Sequence, residues 1–329
     1  MLYPWQQKQW QQVSRLFEAE QLPHAILLQG NEGLGKSSFA QQLAHAVLCQ
    51  QPQENRQACG QCTSCKLLAA KTHPDYYYLK PSAKDNSTSK KPALSIRIEH
   101  IRNLCEKLNQ TSQLSGYRVA ILEQAEGLTI SAANSLLKTL EEPGQNVLII
   151  LVSARPQRLP VTIRSRCQTI RINVPDSAES LNWLQSQLAE TSTEQLRQAL
   201  KYAHGSPLTA ISYIDDFEQL QLLSEAMTAQ CQGKDSLAYA LKLANLHKVK
   251  TLEAMTSWVS DLTKILTCGP DAEIINESYR KNLLQIASKA DTTRVFRFHE
   301  QLNFNLLHSS IAVNEQLLWE NLLLSWDNL

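Results

Sequence analysis

The chain has 329 residues with 32 basic and 31 acidic side chains, so its formal net charge is +1. A balance this close to zero argues against a protein held to nucleic acid mainly by an overall positive field. Hydrophobic residues make up 43% of the sequence, which is enough to build packed cores and excludes general disorder. The longest aliphatic run, residues 147–152, is far shorter than the roughly 18 residues of a membrane span. Because the first residues lack the apolar core of a secretory signal, we expect the eight cysteines to bind metal or remain free thiols.

Strand and helix signals alternate through the first half of the chain. A helix face is predicted within residues 1–20, and a short buried strand is predicted at 25–28. Further strands are predicted at 75–80, 117–123, 147–152 and 168–172, and further helices from 37, at 98–110 and at 131–142. Residues 81–93 are polar and bounded by prolines, which is typical of a surface loop. The alternation predicts an α/β fold with a mostly parallel sheet covered on both faces.

After residue 175 the pattern becomes helical, with almost no strand signal. The sequence Gly-Ser-Pro at 205–207 is a plausible break between helices. We therefore predict an α/β domain at 1–166, a small helical domain at 167–207 and a larger helical domain at 208–329.

A phosphate-binding loop is predicted between the first strand and the helix that follows it. Gly30, Gly33, Gly35, Lys36 and Ser37 complete the pattern G-x-x-x-x-G-K-[ST]. Glycines let the backbone turn its N–H groups toward phosphate oxygens, the lysine reaches the terminal phosphates, and the serine hydroxyl ligates Mg²⁺. The pattern favours binding of ATP or ADP with Mg²⁺. The alternative is a vestigial loop that keeps its shape and binds no ligand.

An ATPase of this class needs an acidic residue at the end of the third strand and a general base beside it. The strand ends in Glu123, which can hold Mg²⁺, although a solvated strand-end carboxylate is an equally good interpretation. Gln124 follows and carries no charge, so it cannot act as a general base. The sequence therefore supports nucleotide binding better than hydrolysis.

Four of the eight cysteines form a cluster with the spacing of a metal site. Two short C-x2-C loops can present sulfurs to one Zn²⁺ ion, which prefers four soft ligands in a tetrahedron. The predicted zinc ligands, within residues 49–65, are Cys49, Cys59, Cys62 and Cys65. Free thiols and a dithiol redox site remain as alternatives. His45 and His73 flank the cluster and can replace a ligand, although packed or exposed histidines are the commoner case.

Residues 153–171 contain five arginines and no acidic residue. A guanidinium is always charged and binds phosphate oxygens in a fork, so one of these arginines can act on a nucleotide across a subunit interface. A solvated basic edge is the plainer interpretation of the same stretch.

Two runs carry a family resemblance: residues 134–143, NSLLKTLEEP, and residues 159–167, LPVTIRSRC. Together with the phosphate loop, the four cysteines and the His-Pro-Asp sequence at 73–75, in that order, they resemble the bacterial clamp-loader branch of the AAA+ ATPases. The resemblance covers residues 1–210 with specific motifs. Beyond that it depends on helical composition and length.

The resemblance implies an AAA+ P-loop domain with a zinc module, then a small helical lid and an all-helical collar that assembles subunits. It implies that Arg166 is an arginine finger that reaches the ATP site of a neighbouring subunit. The implied partners are gamma or tau ATPase subunits and a delta subunit in a cytoplasmic hetero-oligomer without membrane contact. The implied function is to load the sliding clamp on primer-template DNA during replication, within the DNA polymerase III holoenzyme.

The chain departs from the hydrolysing members of this family at two places. The gamma and tau subunits carry Asp-Glu where this chain has Glu123 and Gln124, and an arginine where it has Pro207. These departures favour a structural subunit with no catalysis of its own, within a DNA-directed DNA polymerase, a nucleotidyltransferase. The spacing between Cys49 and Cys59 is also longer than is usual in the family.

Two other functions remain open from the sequence. The first is a motor ATPase of the same branch, like gamma and tau. The second is a zinc-containing module that binds nucleic acid and has a vestigial phosphate loop.

Overall fold

A computed structural model of the chain describes residues 2–82, 94–114, 116–232, 234–309, 311 and 313–329. The predicted surface loop at 81–93 lies outside the described residues, except for its first two positions. The chain divides into two compact units, one ending at Glu179 and the other beginning at Ser180. Among the described residues no helix is long and apolar enough to cross a membrane.

The first unit is built on a five-stranded sheet in which every pairing is parallel, as predicted. The strands are β1 Ala25–Gln29, β2 Tyr76–Leu79, β3 Arg118–Leu122, β4 Val147–Ser153 and β5 Gln168–Arg171. Their spatial order is β2-β3-β4-β1-β5. Every residue of β3 and β4 is buried, because the central strands of a parallel sheet are covered on both faces.

Helices connect the strands of the first unit. They are α1 Gln7–Glu18, α2 Lys36–Leu48, α3 Thr63–Ala69, α4 Ile98–Leu108, α5 Ile130–Glu141 and α6 Val161–Arg164. The apolar faces of α4 and α5 pack on β3 and β4, with Leu104, Leu136 and Leu140 in one buried cluster. The α/β fold class is therefore confirmed. The sequence did not predict α3 and α6, because helices this short show too few turns for a clear hydrophobic period.

Helices make up the second unit, and within the described residues no strand follows β5. They are α7 Ser177–Gln187, which begins just before the division, α8 Thr193–Tyr202, α9 Pro207–Asp215, α10 Phe217–Thr228, α11 Ala240–Ala244, α12 Lys248–Cys268, α13 Arg280–Ala287, α14 Thr292–Leu307 and α15 Glu315–Asp327. The core of the unit contains three fully buried tryptophans, Trp258, Trp319 and Trp326. Leu184 and Leu196 belong to the same buried cluster. The separate domains predicted at 167–207 and 208–329 stay a prediction, although residues on both sides of 207 share this core.

A buried polar network holds the loop between α12 and α13. The carboxylate of Asp261 is fully buried and accepts hydrogen bonds from the backbone N–H groups of Ile275 at 2.9 Å and Asn276 at 2.7 Å. The side chain of Asn276 donates to Asp261 and accepts from the hydroxyl of Tyr202. Because all these groups lie away from water, each depends on its partner to offset the cost of desolvation.

We expect Asp261→Asn to lower the free energy of unfolding by about 2–3 kcal/mol, because the new amide cannot accept from all the donors that face it. Urea denaturation measures this loss. Asp271→Asn is the matched control on the same loop, where the side chain is exposed, and a change within about 0.5 kcal/mol is expected there. Equal stabilities of the two variants would contradict the assigned importance of the network.

Candidate nucleotide and metal sites

The phosphate loop joins the end of β1 to the start of α2. Gly35 has a φ of +74°, in the left-handed region, and caps α2. Glycine is required at position 30 for a steric reason, because a Cβ on Gly30 would lie 2.3 Å from the carbonyl oxygen of Ile172. The predicted loop residues therefore stand where a loop can turn its N–H groups toward an anion.

Lys36 is a buried cation at the mouth of this loop, with only 7% of its surface exposed. Its Nζ donates a hydrogen bond to the carbonyl oxygen of Asn31 at 2.6 Å. Burial lowers the pKa of the amine, and the carboxylates of Glu32, Glu126 and Glu123 partly oppose this shift. A buried cation of this kind is stabilised by a nearby anion. Lys36 is therefore suited to its predicted role, which is to contact the terminal phosphates of a nucleotide.

Ser37 and Glu123 are brought together, although 86 positions separate them. The hydroxyl of Ser37 donates to Oε1 of Glu123 at 2.5 Å, and the hydroxyl of Tyr78 donates to Oε2 at 3.0 Å. Burial, and then the nearby Glu123 charge, raise the pKa of Tyr78. A serine hydroxyl beside a carboxylate is the kind of oxygen donor set that Mg²⁺ prefers, so these residues fit the predicted cation.

Gln124 stands at the position where a hydrolysing enzyme of this class has its general base. Gln124 is exposed and uncharged, with a φ of +47°. The nearby carboxylate of Glu126 is half-buried, and its Oε1 accepts a hydrogen bond from the backbone N–H of Ala154 at 3.2 Å. Gln124 therefore cannot act as that base.

A cavity of about 380 Å³ lies beside the phosphate loop. It is bounded by the loop, by the segment after β4 and by the end of β5 with the segment that follows it. The lining residues are Gln29, Gly30, Asn31, Ala154, Pro156, Gln157, Arg171, Ile172, Asn173 and Val174. This space adjoins the backbone that the sequence predicts to hold phosphate.

Arg166 lies just after α6, and its side chain is 34% exposed. One guanidinium nitrogen pairs with Oε1 of Glu141 at 2.5 Å, and the other donates to the carbonyl oxygen of Thr162 at 2.9 Å. A guanidinium carries five N–H donors, more than these two contacts engage, so the group keeps capacity for an anion. Arg166 therefore lies at the surface and is paired with Glu141, the last residue of α5.

The four predicted metal ligands converge. Their sulfur atoms all lie within 4.8 Å of one another. The sulfur of Cys49 is 3.6 Å from that of Cys65 and 3.9 Å from that of Cys62, and Cys59 is 3.9 Å from Cys65. Four sulfurs around Zn²⁺ at about 2.3 Å stand about 3.8 Å apart in a regular tetrahedron, so this cluster can bind a metal ion. Cys49 belongs to the set despite its longer spacing.

The thiols of the cluster differ in acidity. Burial favours the neutral form of Cys62, but the backbone N–H groups of Cys65 and Gln50 oppose it and lower its pKa to about 6. Burial also raises the pKa of Cys65 to about 12. A metal ion that binds all four sulfurs would replace their protons.

The flanking histidines have other roles. Nδ1 of His73 accepts the backbone N–H of Asp75 at 3.1 Å, and its Nε2 contacts the hydroxyl of Ser64 at 2.9 Å. That hydroxyl donates to the carbonyl oxygen of Leu48 at 2.6 Å. Both ring nitrogens of His73 are therefore engaged, and through Ser64 the ring helps to join α3 of the cysteine module to the end of α2. The ring of His45 packs on that of Tyr76.

Three residues of these sites were missed by sequence analysis. Tyr78 reaches Glu123 from the neighbouring strand, and Glu141 pairs with Arg166. Gln6 contacts the phosphate loop from a short N-terminal turn at Pro4–Gln6. Each acts over a contact that depends on strand order or on tertiary packing. The alternation of side chains along β2 was the one available signal for Tyr78. It does not predict the contact with Glu123 until the strand beside β2 is known.

Comparison with known proteins places the chain in a family. A family model described as DNA polymerase III, delta subunit, matches residues 5–176, and one described as DNA polymerase III, delta subunit, C terminal, matches residues 214–328. The DNA polymerase III subunit delta′ of Escherichia coli strain K12 is 32% identical over 334 residues, covering 98% of this chain and 94% of that protein. The same subunit of Pseudomonas aeruginosa is 44% identical over 209 residues, which are 64% of this chain and 60% of that relative, less than two thirds of its length. The chain therefore belongs to the family of DNA polymerase III delta′ subunits.

Proposed function

We propose that the chain is the delta-prime subunit of a clamp loader, which places the sliding clamp on primer-template DNA. It would assemble with gamma- or tau-like ATPase subunits and a delta-like subunit. The observation that carries this proposal is the match to the E. coli delta′ subunit over 98% of the chain. The predicted collar at 208–329 would supply the contacts that hold the subunits together.

We also propose that the phosphate loop binds ATP or ADP with Mg²⁺ without hydrolysing it. Lys36, Ser37 and Glu123 offer the cation and the oxygen donors that a nucleotide with Mg²⁺ requires. Mg²⁺ would neutralise phosphate charge when bound. Gln124 supplies no carboxylate, so no residue at that position would take a proton from water. The site would then serve as a structural ligand site in the assembled complex.

Lys36→Ala is expected to raise the Kd of the isolated chain for ADP by about a hundredfold, because a buried charge on the phosphates is lost. Isothermal titration calorimetry measures this change. Lys8→Ala removes an exposed lysine elsewhere in the same unit and should leave the affinity unchanged. ATP hydrolysis by the wild-type chain that is abolished in Lys36→Ala would instead establish the motor ATPase alternative.

Arg166 is proposed to act on the ATP site of a neighbouring subunit. Its exposure and its place after α6 support this role, and an arginine finger stabilises the charge that develops during phosphoryl transfer. Because Glu141 and Arg166 are both partly exposed, their pairing is a weak interaction that a phosphate can replace.

Arg166→Ala should therefore leave assembly intact and slow DNA-stimulated ATP hydrolysis by the partner subunits by about tenfold or more. Steady-state ATPase assays on the reconstituted complex provide the test. Arg158→Ala is the control, because Arg158 is an exposed arginine of the same stretch. If both variant complexes hydrolyse ATP at the wild-type rate, Arg166 is not the finger.

Zn²⁺ is proposed as the structural metal of Cys49, Cys59, Cys62 and Cys65. The convergence of four sulfurs supports this, and the donor set is the soft one that Zn²⁺ prefers. The ion would cross-link the segment after α2 to α3.

Metal analysis of the purified chain is expected to find about one zinc ion per molecule, and Cys62→Ser should remove it. The same variant should lower the free energy of unfolding by about 2 kcal/mol or more, since structural zinc contributes directly to folding. Cys268→Ser, at an exposed cysteine outside the cluster, should change neither quantity. A zinc-free wild-type protein would leave the four cysteines as free thiols.

A further inference from the structure

The N-terminal turn of the first unit contacts the phosphate loop through a set of buried hydrogen bonds. The side-chain amide of Gln6 donates to the carbonyl oxygens of Leu34 at 2.8 Å and of Gly35 at 2.9 Å. The indole N–H of Trp5 donates to the same oxygen of Leu34 at 3.0 Å. Gln6 is fully buried, and only 8% of Trp5 is exposed. These contacts join positions 28 or more residues apart.

The orientation of the Gln6 amide is fixed by its surroundings. Its Oε1 accepts the backbone N–H of Tyr3 at 3.2 Å, while its nitrogen faces the two loop carbonyls. The ring of Tyr3 stacks on that of Trp5, with centroids 5.0 Å apart, and lies against Gly35. A Cβ on Gly35 would come within 2.4 Å of the Tyr3 ring. The turn and the loop are therefore fitted closely to each other.

Holding these two carbonyls has a consequence for the opposite side of the loop. In a trans peptide the C=O and N–H bonds lie in one plane and point in opposite directions. The carbonyl of Leu34 shares its peptide with the N–H of Gly35, and the carbonyl of Gly35 shares its peptide with the N–H of Lys36. When Gln6 and Trp5 fix the two oxygens toward the turn, both N–H groups must point away from it.

We propose that Gln6 and Trp5 are positioning residues that hold the phosphate loop in its anion-binding form. The inference rests on the proposed nucleotide binding and names the groups that set its affinity. Glycine-rich backbone rotates freely between peptide orientations, and each rotation that a ligand must stop weakens binding. The buried amide of Gln6 helps to stop two of these rotations before the nucleotide arrives. Trp5 shares the carbonyl of Leu34 with it, and the backbone N–H of Phe39, 3.0 Å away, shares the carbonyl of Gly35.

Gln6→Met tests this directly, because methionine has nearly the same length and volume but no donor. We expect the Kd for ADP with Mg²⁺ to rise about tenfold, since the carbonyls of Leu34 and Gly35 each lose one of their two donors. Trp5→Phe removes one donor and should raise the Kd about threefold. Gln7→Met is the matched control, because Gln7 is the next residue and is exposed, and its affinity should equal that of the wild type.

Amide hydrogen exchange of the nucleotide-free chain provides a second measurement. We expect faster exchange at Gly35 and Lys36 in Gln6→Met, with unchanged rates in β3 and β4.

Equal ADP affinity in Gln6→Met and the wild type, or acceleration spread evenly over the unit, would overturn the proposal. If Gln6→Met does not fold, Trp5→Phe decides by the same two measurements. If the wild type binds no ADP, the proposed nucleotide binding fails, and the exchange rates alone decide whether Gln6 orders the loop.

Discussion

Parallel pairing of β1 with both β4 and β5 is the constraint on which the nucleotide site depends. Gln29 pairs in register with Ser153 on one side and with Arg171 on the other. The three segments that follow must therefore leave the sheet at the same edge, where ligands bind in open α/β folds. Gly30 permits this closeness, because a side chain there would strike the backbone after β5. This register places the phosphate loop, the cavity beside it and the end of β3 at the same edge of the sheet.

Other parts of the unit reinforce the same edge from outside the sheet. The N-terminal turn holds the carbonyls of the phosphate loop, and Tyr78 holds the carboxylate of Glu123. His73 and Ser64 join the cysteine module to the end of α2. A site supported from several directions is kept in one geometry without a ligand.

Features whose chemistry lies within a short stretch of chain could be predicted from the amino-acid sequence. The phosphate loop and the four cysteines each occupy adjacent turns, so residue type and spacing were sufficient, and the buried strands showed as apolar runs. Tyr78, Gln6 and Glu141 were beyond reach because each acts on a residue from another element. The boundary predicted at 207 depended on a local Gly-Ser-Pro break, whereas the shared core of Leu184, Leu196 and Trp258 is a tertiary property.

The central claim is that the chain works as one member of a hetero-oligomeric clamp loader. Light scattering coupled to gel filtration, on the chain mixed with a gamma- or tau-like ATPase subunit and a delta-like subunit from the same organism, tests it most directly. The account predicts one complex that contains all three kinds of subunit, with the chain eluting at the mass of that complex. Elution of the chain at its own mass of 37.1 kDa, beside the partner subunits, would contradict the account.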